Sequence, residues 1–150
     1  LNELIELILK RLRPIAKQRH IDVLYESARE VFAEIDEVKL TLAISNLVEN
    51  AIKYNKEYGY VKVSLDADHQ FATIMVEDNG IGIPEEAQEH IFERFYRVDK
   101  SHSREIGGTG LGLAIARNAI LLHRGSIKID SEEGQGTVFT VKIPIIYVSK

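Results

Sequence analysis

The chain has 150 residues, a length suited to one domain with its own core, and its 45% hydrophobic and 28% charged content excludes a disordered or fibrous protein. It contains no cysteine, which removes disulfide scaffolds, thiol nucleophiles, Cys-ligated zinc and iron–sulfur clusters together, and permits a reducing compartment. Its 19 Lys+Arg against 23 Asp+Glu leave a net charge of −4, no electrostatic footing for a nucleic-acid partner, and no apolar run approaches the roughly 20 residues that span a bilayer. Beginning at Leu1 rather than Met, the chain is expected to be a piece of something longer.

Leu1, Leu4, Ile5, Ile8, Leu12 and Ile15 recur at helical spacing, so the first 18 or so residues predict an amphipathic helix despite Pro14. Apolar runs at 21–25 and 31–35, separated by polar residues, predict a strand pair. Asp36 is placed to cap a long helix running to about Tyr54. Strands follow at 61–65 and 71–76, then a glycine loop at 78–84 that hands over to a short helix with Pro84 near its first turn. The stretch 99–109 lacks apolar periodicity and predicts a mobile loop. From Gly110 a helix runs to near Gly125, and two strands, around 127–129 and 138–143, flank a turn. Strands and helices mix without strict β-α-β alternation, which favours an α+β two-layer sandwich over a doubly wound sheet.

Three constellations could carry chemistry. On the long helix, Asn46, Asn50 and Lys53 share one stripe, while Ile44, Leu47, Val48 and Ala51 face broadly the other way. Carboxamides at i and i+4 beside an ammonium suit a magnesium–phosphate site, although a solvated helix face has the same pattern. Asp78-Asn-Gly80-Ile-Gly82-Ile-Pro84 follows a strand. Its carboxylate could accept from an exocyclic amine such as that of adenine, and its glycines allow close approach to a flat ligand; the same letters also describe a plain turn. Gly107-Gly-Thr-Gly-Leu-Gly112 opens a helix, where backbone N–H groups and the helix dipole favour a polyphosphate, yet it has neither P-loop nor dinucleotide-fold spacing and could be a hinge.

Taken in order within one domain, these segments and the Phe92/Phe95 pair resemble the ATP-binding catalytic domain of sensor histidine kinases. That family is a branch of the gyrase, heat-shock-90, histidine kinase and mismatch-repair ATPases. The resemblance covers nearly the whole chain: 46–54 matches the N box, 78–84 the G1 box, 91–99 the F box and 108–112 the G2 box. It implies the Bergerat ATP-binding fold, a mixed, mostly antiparallel sheet of about five strands covered on one face by about three helices. It also implies that residues 1–150 form one catalytic domain with an ATP lid at about 99–109 and without the phosphoacceptor helical hairpin.

Carried over residue by residue, the resemblance assigns Asn50 to Mg²⁺ bridging the phosphates, with Asn46 near the same cluster, Lys53 to phosphate and Tyr54 to the nucleotide. Asp78 would receive the adenine amine, Gly80 and Gly82 would admit the ring, and Ile83 belongs to the same nucleotide-binding set. Gly108, Thr109, Gly110, Leu111 and Gly112 complete that set on the loop side, and Thr137 lies toward adenine. Phe92 and Phe95 would anchor the lid, and Arg97 would approach the γ-phosphate. Where related ATPases carry a glutamate that activates water, this chain has Asn46, and an amide cannot act as a general base.

The implied activity is therefore transfer of the γ-phosphoryl of Mg-ATP to a histidine on a separate dimerisation and phosphoacceptor domain, for relay to a response regulator, with slow hydrolysis. None of His20, His69, His90, His102 and His123 has the context of a phosphoacceptor; each is expected to be a surface or capping residue. Mg²⁺ is expected to arrive with ATP. The fragment itself is expected to be monomeric, a cytoplasmic domain within a homodimeric, membrane-anchored parent. A stand-alone ATPase and a non-catalytic nucleotide-sensing module are the alternatives.

Overall fold

In α1, Asn2–Gln18, the helical spacing buries Ile5, Ile8, Leu9, Leu12 and Ala16 on one face, while Pro14 sits on the exposed side without ending the helix. This computed structural model describes residues 1–27, 29–33, 35–88, 90–92 and 112–145. Strand β1, Asp22–Ser27, follows, and then α2, Glu37–Lys53, capped as expected by the Asp36 side chain, which accepts from the Lys39 N–H. The hairpin of β2, Tyr60–Ala67, and β3, Phe71–Asp78, leads to the short helix α3, Glu85–Gln88. Helix α4, Gly112–Leu122, precedes β4, Ser126–Glu132, and β5, Gly136–Pro144.

The five strands form one sheet in the order β1-β2-β3-β5-β4. β1 pairs with β2 in parallel, and the other three pairs are antiparallel. The α2 segment supplies the long crossover that a parallel pair needs. Alternation along the strands sends Val61, Val63 and Leu65, then Ala72, Ile74 and Val76, then Phe139, Val141 and Ile143 into one core. Leu40, Ile44, Leu47, Val48 and Ala51 of α2 fill that core from the helical side, with α1 and α4 flanking. His123, at the end of α4, is a capping residue: its Nε2 accepts the Asp36 N–H at 2.9 Å, so its Nδ1 carries the proton and donates to the Ala119 carbonyl.

One expected strand is absent. Residues 31–33 and 35 form no strand, and the partner of β1 is β2. Val31 is buried, but its N–H donates to Asn2 Oδ1 at 2.7 Å and its carbonyl accepts from the Leu1 backbone nitrogen at 2.9 Å. The start of α1 thus takes both of its backbone groups, which a sheet ladder would otherwise require. Among the described residues of the apolar run only Val31 is buried, and Phe32 is 76% exposed.

Candidate functional site

The site starts from strand register. Ile74, Val76 and Asp78 lie at alternate positions of β3, so the period that buries two apolar side chains also carries a carboxylate onto the core-facing side at the strand's end. In β5 the same alternation puts Thr137 in line with Phe139 and Val141, and Asp78 and Thr137 are directly paired across the ladder. Two buried polar residues therefore stand side by side where the sheet meets the helical layer.

Burial pushes the Asp78 carboxyl up to about 6; the N–H groups of Gly80 and Thr137 oppose the shift and the neighbouring Glu77 charge adds to it. Asp78 Oδ1 accepts the Gly80 N–H at 2.9 Å. A buried carboxylate with acceptor capacity beyond its backbone donors is suited to a ligand N–H group.

The polar stripe of α2 ends beside the loop that follows Asp78. Asn46, Asn50, Lys53 and Tyr54 are all half-buried, and the helical rise separates the first from the last by about 12 Å. Asn46 lies beside the first residue of α4: a Cβ on Gly112 would stand 3.7 Å from its Cγ and Oδ1. Its Nδ2 is buried and unpartnered among the described residues, a costly state that a bound acceptor would relieve. The side chains of Asn50 and Lys53 make no hydrogen bond or ion pair among the described residues. At the far end of the stripe the Tyr54 carbonyl accepts the Ile81 N–H at 3.2 Å, which ties α2 to the loop after Asp78.

The glycines of that loop serve the protein's own packing. A Cβ on Gly80 would fall 2.6 Å from the Tyr54 carbonyl oxygen and 2.8 Å from Asn55 Cα; one on Gly82, at φ +72°, would fall 2.2 Å from the Glu132 carbonyl oxygen. What they visibly permit is the close seat of the loop between α2 and the β4–β5 turn. Ile83 is buried, with its N–H on Ser131 Oγ at 2.8 Å and its carbonyl accepting from Gln88 Nε2 at 2.9 Å. Phe92 packs edge-on against Phe139 at 6.2 Å, a core contact under the site. Phe95, Arg97, Gly108, Thr109, Gly110, Leu111 and the stretch 99–109 lie outside the described residues.

Several residues of the site escape sequence reasoning. Ser131, expected in a turn, lies within β4, and its Oγ takes the Ile83 N–H, donates to the Gly136 carbonyl at 3.0 Å and meets Thr137 Oγ1 at 2.8 Å. Asn55 is buried just past α2, donates to the Tyr60 carbonyl and accepts the Lys56 N–H. Asn79 Oδ1 accepts the Tyr60 N–H. An Asn directly after a helix, and another inside Asp-Asn-Gly, are turn signals that mark Asn55 and Asn79; Ser131 carries no local signal.

A family model of histidine kinase-, DNA gyrase B- and HSP90-like ATPases matches residues 35–146. The chain belongs to that family. Within these ATPases its relatives are sensor kinases: it is 45% identical over 149 residues to the sensor histidine kinase RppB of Synechocystis sp., a match covering 99% of this chain and 33% of RppB. The chain spans a third or less of the length of these curated sensor-kinase relatives. The catalytic domain of histidine kinase ThkA has the same fold, with a TM-score of 0.84 at 33% identity over 97% of this chain and 92% of that one. ThkA in complex with the response regulator protein TrrA matches all of this chain and 42% of that one, with a TM-score of 0.80 at 29% identity. The Bergerat-type α+β sandwich expected from the sequence is the fold found. Among the described residues of this ATPase-family domain, no helix is long and apolar enough to cross a membrane, and no group of three or more His, Asp and Glu side chains could hold a metal ion.

Proposed function

We propose that this chain is the ATP-binding catalytic domain of a sensor histidine kinase. It holds Mg-ATP and delivers the γ-phosphoryl to a histidine on the separate dimerisation and phosphoacceptor hairpin of its own protein, for relay to a response-regulator aspartate. The observation that carries this reading is the buried Asp78–Thr137 pair, next to the loop that is tied to the end of the α2 stripe at Tyr54, within a chain that matches the family from 35 to 146.

Asp78 accepts the adenine amine, and the Thr137 hydroxyl, itself fixed by Ser131, lies on the same side of the base. Ile83 closes the apolar flank. Tyr54 lies against the nucleotide, Lys53 offsets phosphate charge, and Asn46 and Gly112 bracket the phosphate end with the loop 108–112. Asn50 offers an amide oxygen, a hard ligand suited to Mg²⁺, and the ion when bound neutralises charge on the phosphates. Arg97 serves the γ-phosphate, where a guanidinium can stabilise charge that develops during transfer. The bond between γ-phosphorus and the β–γ bridging oxygen breaks as an imidazole nitrogen of the hairpin attacks, and ADP leaves. Because Asn46 supplies no general base, water competes poorly. The parent protein would be a homodimer with this domain on the cytoplasmic side of the membrane that anchors it.

Mixing the chain with γ-labelled ATP and the separate hairpin domain of its parent should label the hairpin histidine, whereas the chain alone should remain unlabelled. An Arg97→Ala chain should lose transfer far more than nucleotide affinity. A hairpin that stays unlabelled despite measured ATP binding would contradict the kinase reading.

A further inference from the structure

The last turn of α2 and the two residues after it leave carbonyls short of regular helical donors, and the structure supplies partners for four in succession, the Ile52 carbonyl also taking the Asn55 N–H at 3.3 Å. Arg19, at the corner between α1 and β1, gives Nη1 to the Ile52 and Lys53 carbonyls, the latter at 2.6 Å, and Nη2 to the Asn55 carbonyl at 2.7 Å. The Tyr54 carbonyl, skipped by Arg19, accepts the Ile81 N–H from the loop after Asp78. The guanidinium and the loop thus divide the end of the helix between them, and Gly80 packs into the same place, against the Tyr54 carbonyl and Asn55 Cα.

The corner that carries Arg19 is fixed from its other side. His20 closes α1 at φ 58°, a conformation usually left to glycine, and its ring stacks on Tyr58 with centroids 5.0 Å apart while Nδ1 meets Glu57 Oε2 at 3.0 Å. Adjacent residues therefore grip the segment 52–58 at two points. The cation also sits at the negative end of the α2 dipole. A planar fork can span three carbonyls at once, which a lysine ammonium on a flexible stem does not reproduce.

We propose that Arg19 is a positioning residue for the nucleotide. It holds the last turn of α2, and with it Lys53, Tyr54 and the loop after Asp78, in the geometry that receives ATP. The proposal rests on the nucleotide-binding reading above. It links the first helix, which lies outside the family match at 35–146, to the function of the site.

Wild-type, Arg19→Ala and Arg19→Lys chains are to be compared by residue-resolved amide exchange and by calorimetric titration with Mg-ATP, well below each thermal midpoint. Arg19→Ala should speed exchange of the Asn55 and Ile81 amides by about tenfold or more, leave the central amides of β3 and β5 unchanged, and weaken Mg-ATP by about tenfold. Arg19→Lys should recover only part of either effect. Unchanged exchange at Asn55 and Ile81, uniform acceleration across β3 and β5, or Mg-ATP affinity within about twofold of wild type would overturn the proposal. If the wild-type chain binds no Mg-ATP, the nucleotide reading fails by itself, and the exchange comparison still decides whether Arg19 holds the turn.

Discussion

Replacing Asp78 with asparagine is expected to stabilise the chain at pH 8 while weakening Mg-ATP on the order of 100-fold, the cost of losing a charged acceptor for the adenine amine. The two effects have one cause. Burial holds the folded-state carboxyl at about 6, above its ordinary value of 3.8, so the folded chain retains the proton more tightly than the unfolded one. Ionised Asp78 therefore opposes folding. The penalty is absent at low pH, grows as pH rises from the ordinary value toward 6, and is constant above that, at up to about 3 kcal/mol. Asp78→Asn removes it, which should raise the thermal midpoint by several degrees at pH 8 and leave it nearly unchanged at pH 4. The affinity gap between the two proteins should close as pH falls below 6, where the wild-type carboxyl protonates and ceases to accept. Thermal scans at pH 4 and 8 and calorimetric titrations at pH 5 and 8 check both halves. An Asp78→Asn chain with wild-type affinity at pH 8 would remove Asp78 from adenine recognition.

The second large effect is expected at Gly136, where β5 begins beside Asp78. Its φ is +127°, and a Cβ there would lie 2.1 Å from the Asp78 carbonyl oxygen and 2.9 Å from Asn79 Cα, both backbone atoms that no rotamer change can move. Gly136→Ala should cost about 3 kcal/mol or more and displace the Asp78–Thr137 pair, so nucleotide binding should fall with stability. Gly134 is the control. It also has a positive φ, +86°, but nothing lies within 4 Å of its Cβ position, and Gly134→Ala should cost only the conformational term of about 1–2 kcal/mol. Urea unfolding of the two variants separates collision from conformation. Similar losses for both would mean that the tight approach of β5 to Asp78 does not matter.

How far the sequence could be read follows from which interactions are local. The amphipathic period of α1, the Asp36 cap, the alternation of β2 and β3 and the apolar face of α2 all act within a few residues, and each is found where expected. Long-range partners are another matter. The run 31–35 has strand-like composition, but the start of α1 takes the backbone groups of Val31 and Phe32 is exposed, and composition cannot tell which element will claim a segment's backbone. The parallel pairing of β1 with β2 depends on register across a 17-residue helix. At the site, Asp78 and the α2 stripe are legible because the chemistry lies in the side chains themselves. Arg19 and Ser131 are not, since they act on groups 33 to 36 and 48 residues away in the chain, and an arginine that caps a distant helix has no local pattern. The glycines of the first loop show a third case. Their positions were legible and their surroundings were not: at Gly80 and Gly82 the space is filled by the protein's own backbone.

The central claim, that the buried carboxylate and the polar helix stripe form an adenine-specific site for Mg-ATP, is tested most directly by calorimetric titration of the chain at pH 8 with ATP, ADP and GTP, with and without Mg²⁺. The account predicts one site per chain, a clear preference for ATP and ADP over GTP, and ATP binding strengthened by Mg²⁺. Equal affinity for GTP, or no binding of any of the three, would contradict it.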